Sequence, residues 1–381
     1  SSLLFGSIMA TVYYYSQASG DNDGTSEANA FTAIQTALDS LSAGDHLYCK
    51  RHSSREGSKT TNLTLTTDSE ATAGNIIVEG YITTPGDGGM YQTHSPIAFN
   101  GDGIEVRYMD VDADGDASHA IKLQGDGSLA YRCIAVNSYG FGNALHVLDA
   151  AAVECYVKGK VSQSGDNILK CNRAQVINCV VVIASDSGDD GEAINVVSGF
   201  RINKVVGCLV INEDTDGPQN HVGIRLTGTS PSAQLIANNT VTNMDIGIEQ
   251  DNGPAVSRVS TPTIFYGNLL YSVATGIKNT QVNNTVNFSL IAISNAFGAV
   301  TTAQTTNLAS VIDSVTLTES PFIDTTNFQL NNAPGGGALL KGKLGQGTRF
   351  DPSLLSTDPR IDFPTAGGII PNPVGEVSRS F

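Results

Sequence analysis

The chain has 381 residues, of which 15% are charged and 40% hydrophobic, with 40 glycines and no tryptophan. A single core of ordinary size stops growing near about 250–300 residues, so the chain forms either two domains or an elongated fold whose core grows by repetition. Its net charge of −16 argues against nucleic acid and membrane surfaces as partners, because both are anionic. Abundant Gly, Asn, Asp, Thr and Val predict an all-β chain with many turns.

The first predicted elements lie within residues 1–50. Leu3–Ala10 is mildly apolar, but it is short and no basic residue precedes it, so it is not expected to be an intact secretory signal. A strand is predicted at Val12–Tyr15. The apolar residues that follow at helical spacing predict a short amphipathic helix: Phe31, Ile34, Ala37, Leu38 and Leu41.

Four cysteines indicate a repeated structural unit. Their successive separations are 22, 24 and 29 residues, a length typical of one β-solenoid turn: Cys133, Cys155, Cys179 and Cys208. We expect them to stack as one interior column of reduced thiols, continued by Asn239 and Asn268. Inert core thiols favour folding in a reducing cytoplasm.

Each repeat contains a second short strand after a polar corner. These strands carry aliphatic residues at alternate positions, as in Ala144–Leu148, Val222–Leu226 and Ile246–Glu249. The pattern continues beyond the cysteines, and the rung after Asn268 is predicted at Val286–Ile291. One strand pair cannot bury its own apolar face, whereas stacked turns can, so the repeat predicts a parallel β-helix. Left-handed backbone is expected at turn asparagines, namely Asn137, Asn212, Asn243 and Asn279.

The N-terminal segments Val12–Tyr15, Ser19–Thr25 and Phe31–Asp39 resemble those of right-handed parallel β-helix proteins of the pectate-lyase-like superfamily, of the kind found in bacteriophage virion proteins. In that superfamily the helix plugs the open end of the solenoid. Asn327–Leu330 and Pro334–Leu339 resemble its closing strand and turn. The resemblance implies a single-stranded right-handed β-helix at residues 51–340, an N-terminal strand and capping helix at 1–50, and an irregular, Pro/Gly-rich extended arm at 341–381. It does not imply one activity, because the superfamily includes lyases, hydrolases and non-enzymatic virion proteins.

The strongest catalytic candidates are Asp189, Asp190 and His221. The segment Ser187–Asn195 resembles the paired-aspartate segment of polygalacturonases, whose aspartates act as acid and base, and His221 with Arg225 follows about one turn later. The sequence departs from that family, because Gly follows the aspartates and His221 is not flanked by glycines. The alternative interpretation is a glycine-bounded acidic corner.

A calcium site is the candidate at Asp112, Asp114 and Asp116. Oxygen ligands at alternate positions followed by Gly115 begin like a calcium loop, but Ile121 stands where an EF-hand needs Glu. A solvated acidic turn is the alternative. Ca²⁺ is the one cofactor considered, and none other is expected.

These features favour a non-enzymatic, elongated structural or adhesion protein of a virion surface, such as a phage head-decoration, fibre or tailspike-like component. The alternative is a polysaccharide lyase or polygalacturonase-like hydrolase with an acidic groove. Expected partners are other virion proteins, further copies of the chain in a homo-oligomer such as a trimer, and a cell-surface polysaccharide. Neither nucleic acid binding nor membrane insertion is expected. The expected location is the virion surface after folding in the host cytoplasm, with an extracellular location as the alternative.

Overall fold

The structure is a computed structural model of the chain. It describes residues 11–16, 20–57, 61–68, 74–113, 119–138, 142–162, 166–184, 190–197, 202–214, 220–227, 234–251, 263–280, 290–304, 310–323, 328, 330–343, 348–349 and 370–371.

Two parallel sheets form the body of the molecule. Sheet A has 20 strands, sheet B has ten, and β31 (Thr348–Arg349) pairs with β32 (Ile370–Pro371) apart from both. The strands of sheet A are β1 (Val12–Tyr15), β2 (His46–Lys50), β3 (Leu63–Leu65), β4 (Ile76–Tyr81), β6 (Ile97–Phe99), β7 (Ile104–Arg107), β9 (Ile121–Tyr131), β11 (Leu145–Val153), β13 (Asp166–Asn172), β14 (Gln175–Ile177), β16 (Gly191–Val197), β17 (Asn203–Val206), β19 (Val222–Thr227), β20 (Gln234–Ala237), β22 (Ile246–Asp251), β23 (Thr263–Tyr266), β25 (Thr275–Asn279), β26 (Leu290–Ile293), β28 (Thr302–Gln304) and β29 (Ser310–Ile312). Those of sheet B are β5 (Tyr91–Thr93), β8 (Met109–Asp112), β10 (Ile134–Asn137), β12 (Tyr156–Gly159), β15 (Val180–Ile183), β18 (Leu209–Asn212), β21 (Thr240–Thr242), β24 (Leu269–Tyr271), β27 (Ala296–Gly298) and β30 (Val315–Leu317).

One complete turn of the solenoid contains two strands of sheet A and one of sheet B. The turn that begins at β16 continues through β17 and β18, and each of these pairs in parallel with its counterpart one turn later, β19, β20 and β21. Inward-facing aliphatic side chains from all three strands form one continuous core. The predicted all-β parallel β-helix is therefore confirmed.

The cysteine column lies inside this core. Strand register aligns Cys133, Cys155, Cys179 and Cys208, followed by Asn239 and Asn268, as predicted. It then continues to Asn295, so the prediction that the next rung lies at Val286–Ile291 was wrong. All seven side chains are at most 1% exposed. All six cysteines of the chain are buried free thiols.

Polar groups in the column are paired along it. The Asn239 amide donates to Oδ1 of Asn268 at 3.0 Å, and Asn268 donates to Oδ1 of Asn295 at 2.9 Å. The backbone N–H of Cys208 donates to Oδ1 of Asn239 at 2.9 Å, which joins the thiol part of the column to the amide part. The stacked amides thus provide hydrogen-bond partners for buried N–H and C=O groups, which would otherwise destabilise the folded state.

A sharp corner precedes the column position before each strand of sheet B from β8 to β30. One residue there has φ between 51° and 69°, and the set comprises Tyr108, Arg132, Glu154, Asn178, Gly207, Asn238, Gly267, Ser294 and Asp313. The corner was not predicted from the sequence, because its residue types vary. Among the four turn asparagines that were predicted to be left-handed, only Asn243 has a positive φ, whereas the other three end strands β10, β18 and β25.

The two ends of the solenoid differ. At the N-terminal end, helix α1 (Ile34–Asp39) buries Ala37 and Leu38, as the spacing predicts. At the other end, helix α2 (Gly337–Lys343) replaces part of the expected closing turn, and Leu340 joins an apolar cluster on the outer face of sheet B. The predicted boundaries at 50/51 and 340/341 remain predictions, and most of the proposed arm lies outside the described residues.

Candidate functional site

The predicted catalytic residues that the structure describes lie on adjacent turns in different surroundings. Asp190 immediately precedes β16 and accepts hydrogen bonds from the backbone N–H and the amide of Asn220, at 2.8 and 3.1 Å. These bonds lower the pKa of Asp190. The third predicted member, Asp189, lies outside the described residues.

His221 immediately precedes β19, and its side chain is only 1% exposed. Its Nε2 lies 3.2 Å from Oδ2 of Asp214, and its backbone N–H donates to Asp245 at 3.0 Å. The His221 ring is therefore buried and held in place by Asp214, whereas Asp190 lines an open pocket. The catalytic assignment of these residues stays a prediction.

Only one member of the candidate calcium site is described. Asp112 ends β8, and its Oδ1 has no hydrogen-bond partner among the described residues. Asp114 and Asp116 lie outside the described residues, and the described part of the chain contains no group of three or more His, Cys, Asp or Glu side chains that could hold a metal ion. Calcium binding at these three aspartates remains a prediction.

A charged pocket opens on the outer face of sheet A. It has a volume of about 260 Å³ and includes Asp190, Glu192, Arg225, Glu249 and Lys278 in its lining. Arg225, Glu249 and Lys278 occupy one column of outward positions on β19, β22 and β25, because strand register aligns them.

Arg225 is the centre of an ion-pair network in this pocket. Its guanidinium bonds Glu192, lies 3.1 Å from Glu249 and donates to Asp251 at 3.0 Å. Lys278 pairs with the other oxygen of Glu249 at 2.8 Å. The Glu192 side chain is 3% exposed, and burial raises its pKa although Arg225 opposes the shift.

The sequence prediction included Arg225 but missed Glu192, Glu249, Asp251 and Lys278. A signal for part of this set does exist in the repeats Gly223-Ile224-Arg225, Gly247-Ile248-Glu249 and Gly276-Ile277-Lys278. Each repeat ends in a charged residue one position after a core isoleucine. Strand alternation turns that residue outward, so an alignment of the three repeats predicts a charged column.

The comparison with the solved structure of pectate lyase Pel9A supports the fold. Neither a family model nor a curated protein sequence matches the chain. The crystal structure of pectate lyase Pel9A is similar with a TM-score of 0.53 at 11% identity, over 82% of each chain. ORF18 of Geobacillus virus E2 has a TM-score of 0.42 at 13% identity, over 82% of this chain and 62% of that chain. A PL6 family polysaccharide lyase from Pseudopedobacter saltans has a TM-score of 0.39 at 13% identity, over 79% of this chain and 95% of that one.

The first comparison, together with the strand register, defines the fold of this chain as a parallel β-helix similar to that of pectate lyase Pel9A. The identity is too low to transfer an activity, because this fold hosts many functions. No helix in the described part of the chain is long and apolar enough to span a membrane.

Proposed function

We propose that this chain is a non-enzymatic, elongated structural or adhesion protein of a virion surface. The supporting observation is the pairing within the pocket. Arg225 pairs with three carboxylates and Lys278 with one of the same three. A general acid or base must reach a substrate atom and exchange a proton with it, whereas these groups are engaged with one another.

The thiols support folding in a reducing compartment. All six cysteines are buried and unoxidised, and burial raises the pKa of Cys49 and Cys171 well above the usual range. Such thiols are inert and typical of proteins that fold in a cytoplasm. Virion proteins of a phage fold and assemble there, so this supports a virion location. The partners proposed are other virion proteins, further copies of this chain and a cell-surface polysaccharide.

A polysaccharide lyase or hydrolase is the second candidate. The observation that favours it is the position of Arg225 in an open pocket beside Glu192, a carboxyl group whose pKa is raised by burial. The fold is shared with a pectate lyase, and carboxyl groups with raised pKa values are suited to act as acids near neutral pH.

One assay separates the two candidates. The purified chain is incubated with polygalacturonate and alginate, with and without Ca²⁺, and both unsaturated products and new reducing ends are measured. We expect no product above that of a boiled sample. Turnover that disappears in Arg225→Gln but persists in Arg173→Gln, whose arginine pairs with Asp149, would support the enzyme and overturn the proposal.

The genes that flank the coding sequence provide an independent test of location. Capsid and portal genes beside it are expected for a virion protein. Genes for sugar uptake and catabolism would contradict that location and support the second candidate.

A further inference from the structure

Two lysines on sheet A differ from most described basic residues. Most basic side chains pair with a carboxylate: Lys50, Arg55, Arg107, Arg132, Lys158, Arg173, Arg225 and Lys278. Lys122 and Lys170 have no such pair among the residues that the structure describes. The chain carries 37 acidic residues against 21 lysines and arginines, so acceptors for these two charges are abundant elsewhere.

The two lysines flank one histidine. Lys122 on β9, His146 on β11 and Lys170 on β13 are aligned by strand register on three successive turns, and all three are half-buried and face outward. Parallel strands lie about 4.8 Å apart, so the two lysine backbones are separated by about 10 Å. Lysine side chains are long enough for both ammonium groups to reach one group held above His146.

Hydrogen bonds fix where the protons of the histidines lie. The backbone N–H of Asn143 can only donate, and it points to Nδ1 of His119 at 3.3 Å, so that nitrogen is an acceptor. A neutral His119 then carries its proton on Nε2, which lies 3.3 Å from Nδ1 of His146. His146 in turn carries its proton on Nε2, which has no partner in the described part of the chain.

The charges around the rings are consistent with this arrangement. Burial, together with Lys122 and Lys170, lowers the pKa of both His119 and His146 to about 4, so both rings are neutral at neutral pH. His146 therefore presents one N–H donor between two cations. This set of donors suits a group with several negatively charged oxygens.

We propose that Lys122, His146 and Lys170 form a binding site for an oxyanion, namely a sulfate, phosphate or carboxylate group. His119 and Asn143 position the His146 ring and do not contact the ligand. Asn195 follows Lys170 in the same column and separates the site from the pocket around Arg225. The proposal does not depend on the virion assignment or on enzymatic activity.

Calorimetric titration of the full chain tests the site. The probes are inorganic sulfate, inorganic phosphate, dextran sulfate and polygalacturonate, each at low and moderate salt. We expect at least one probe to bind, and Lys170→Gln to weaken that binding about tenfold. Lys204→Gln is the matched control, since it removes one charge from an outward position of β17 on the same sheet, and we expect a change below about twofold.

A second measurement uses the unaltered chain, so it does not depend on whether a variant folds. The ring resonances of His146 and His119 should shift on titration, and the pKa of His146 should rise when the anion is bound. Tight binding of free sulfate or phosphate would identify a free ion as ligand, and binding of the polymers alone would identify a charged polysaccharide; either supports the site. Equal weakening in both lysine variants, or unshifted histidine resonances at saturation, would overturn it.

Discussion

At the scale of single residues, the interior column shows how one position changes chemistry along the molecule. Cys133 to Cys208 contribute thiols and Asn239 to Asn295 contribute amides, at aligned positions. The thiols make only weak bonds, since Sγ of Cys179 lies 3.4 Å from the carbonyl of Ile177 and 3.6 Å from that of Ala152. Packing therefore dominates in the thiol part and hydrogen bonding in the amide part.

Replacing Cys179 by serine should lower the free energy of unfolding by about 1–3 kcal/mol. The C–O bond is shorter than the C–S bond, so the buried hydroxyl is drawn back from the two carbonyls. Cys179→Ala loses packing alone and should cost less. Denaturant unfolding of both variants measures the difference, and an alanine variant that is less stable than the serine variant would contradict this account.

The histidine pair makes stability depend on pH. The folded-state pKa of both rings is about 4, below the unfolded value of about 6.5, so the unfolded chain binds protons first as the pH falls. Their contribution is complete above pH ~6.5 and is lost as the pH decreases toward ~4, by at most about 3 kcal/mol for each ring.

Carboxylates elsewhere also titrate in this range, so the measurement is a comparison of slopes. The unfolding free energy of the natural chain should fall more steeply between pH ~6.5 and ~4 than that of a His119→Gln/His146→Gln variant. Parallel slopes would show that the rings do not differ in pKa between the folded and unfolded states.

At the scale of strands, glycines near the start of β19, β22 and β25 allow adjacent turns to approach closely. Gly223, Gly247 and Gly276 occupy one column, and Ala193 is its member one turn earlier. A Cβ at Gly247 would lie 2.7 Å from the carbonyl oxygen of Gly276, which belongs to the backbone and cannot rotate away.

Gly247→Ala should therefore destabilise the chain by about 2–4 kcal/mol through displacement of a neighbouring strand. Ala193→Gly is the matched control, because that turn already accommodates a methyl group. It should lower the free energy of unfolding by only about 1 kcal/mol. Thermal and denaturant unfolding of both variants provide the test. If both variants lower the free energy of unfolding by similar amounts, the glycine column is not tightly packed.

In the last described turn, polar side chains occupy two positions that are aligned with core residues of the preceding turn. Gln304 is aligned with the core residue Ile277, and Thr316 is aligned with Phe297. Val311, aligned with the buried Ala292, is 47% exposed. A terminal repeat of a solenoid needs polar faces, and Gln304 and Thr316 provide them here, whereas Val311 exposes apolar surface.

At the scale of the whole molecule, the described turns form one continuous core. The C-terminal residues beyond this core concern the assembly of several copies. Leu340 of α2 is buried against the outer face of sheet B, so any truncation must keep this helix. We expect a homo-oligomer that requires residues 344–381, because Pro/Gly-rich arms commonly extend over a neighbouring copy.

Mass measurement in solution tests this expectation on the full chain and on a variant that ends at Lys343. The full chain should be larger than one copy and the shortened chain should be a monomer of unchanged circular dichroism. If the full chain and the shortened chain are both monomeric, and protease rapidly cleaves the arm of the full chain, an assembly role for the arm is contradicted.

The repeat made much of the fold predictable. Alternating aliphatic residues recur in every turn, so a strand that is ambiguous in one turn can be assigned by comparison with the neighbouring turns. The column from Cys133 to Asn268 was placed correctly in this way. Val286–Ile291 was misassigned because its apolar residues Leu290 and Ile291 belong to β26, a strand of sheet A, and not to the sheet B rung that starts after Asn295. The left-handed corner escaped prediction because Tyr108, Arg132 and Glu154 adopt it at positions where propensity favours Gly or Asn.

The sequence by itself determined the all-β class, the repeat and the buried column, because burial selects residue type at every inward position. Only the tertiary structure decided which outward residues meet. Arg225 joins Glu192 and Glu249, and His146 joins Lys122 and Lys170, across separations of about one turn. Outward positions accept many polar residues, so their types carry little information about register. Their chemistry emerges only when the strands are stacked.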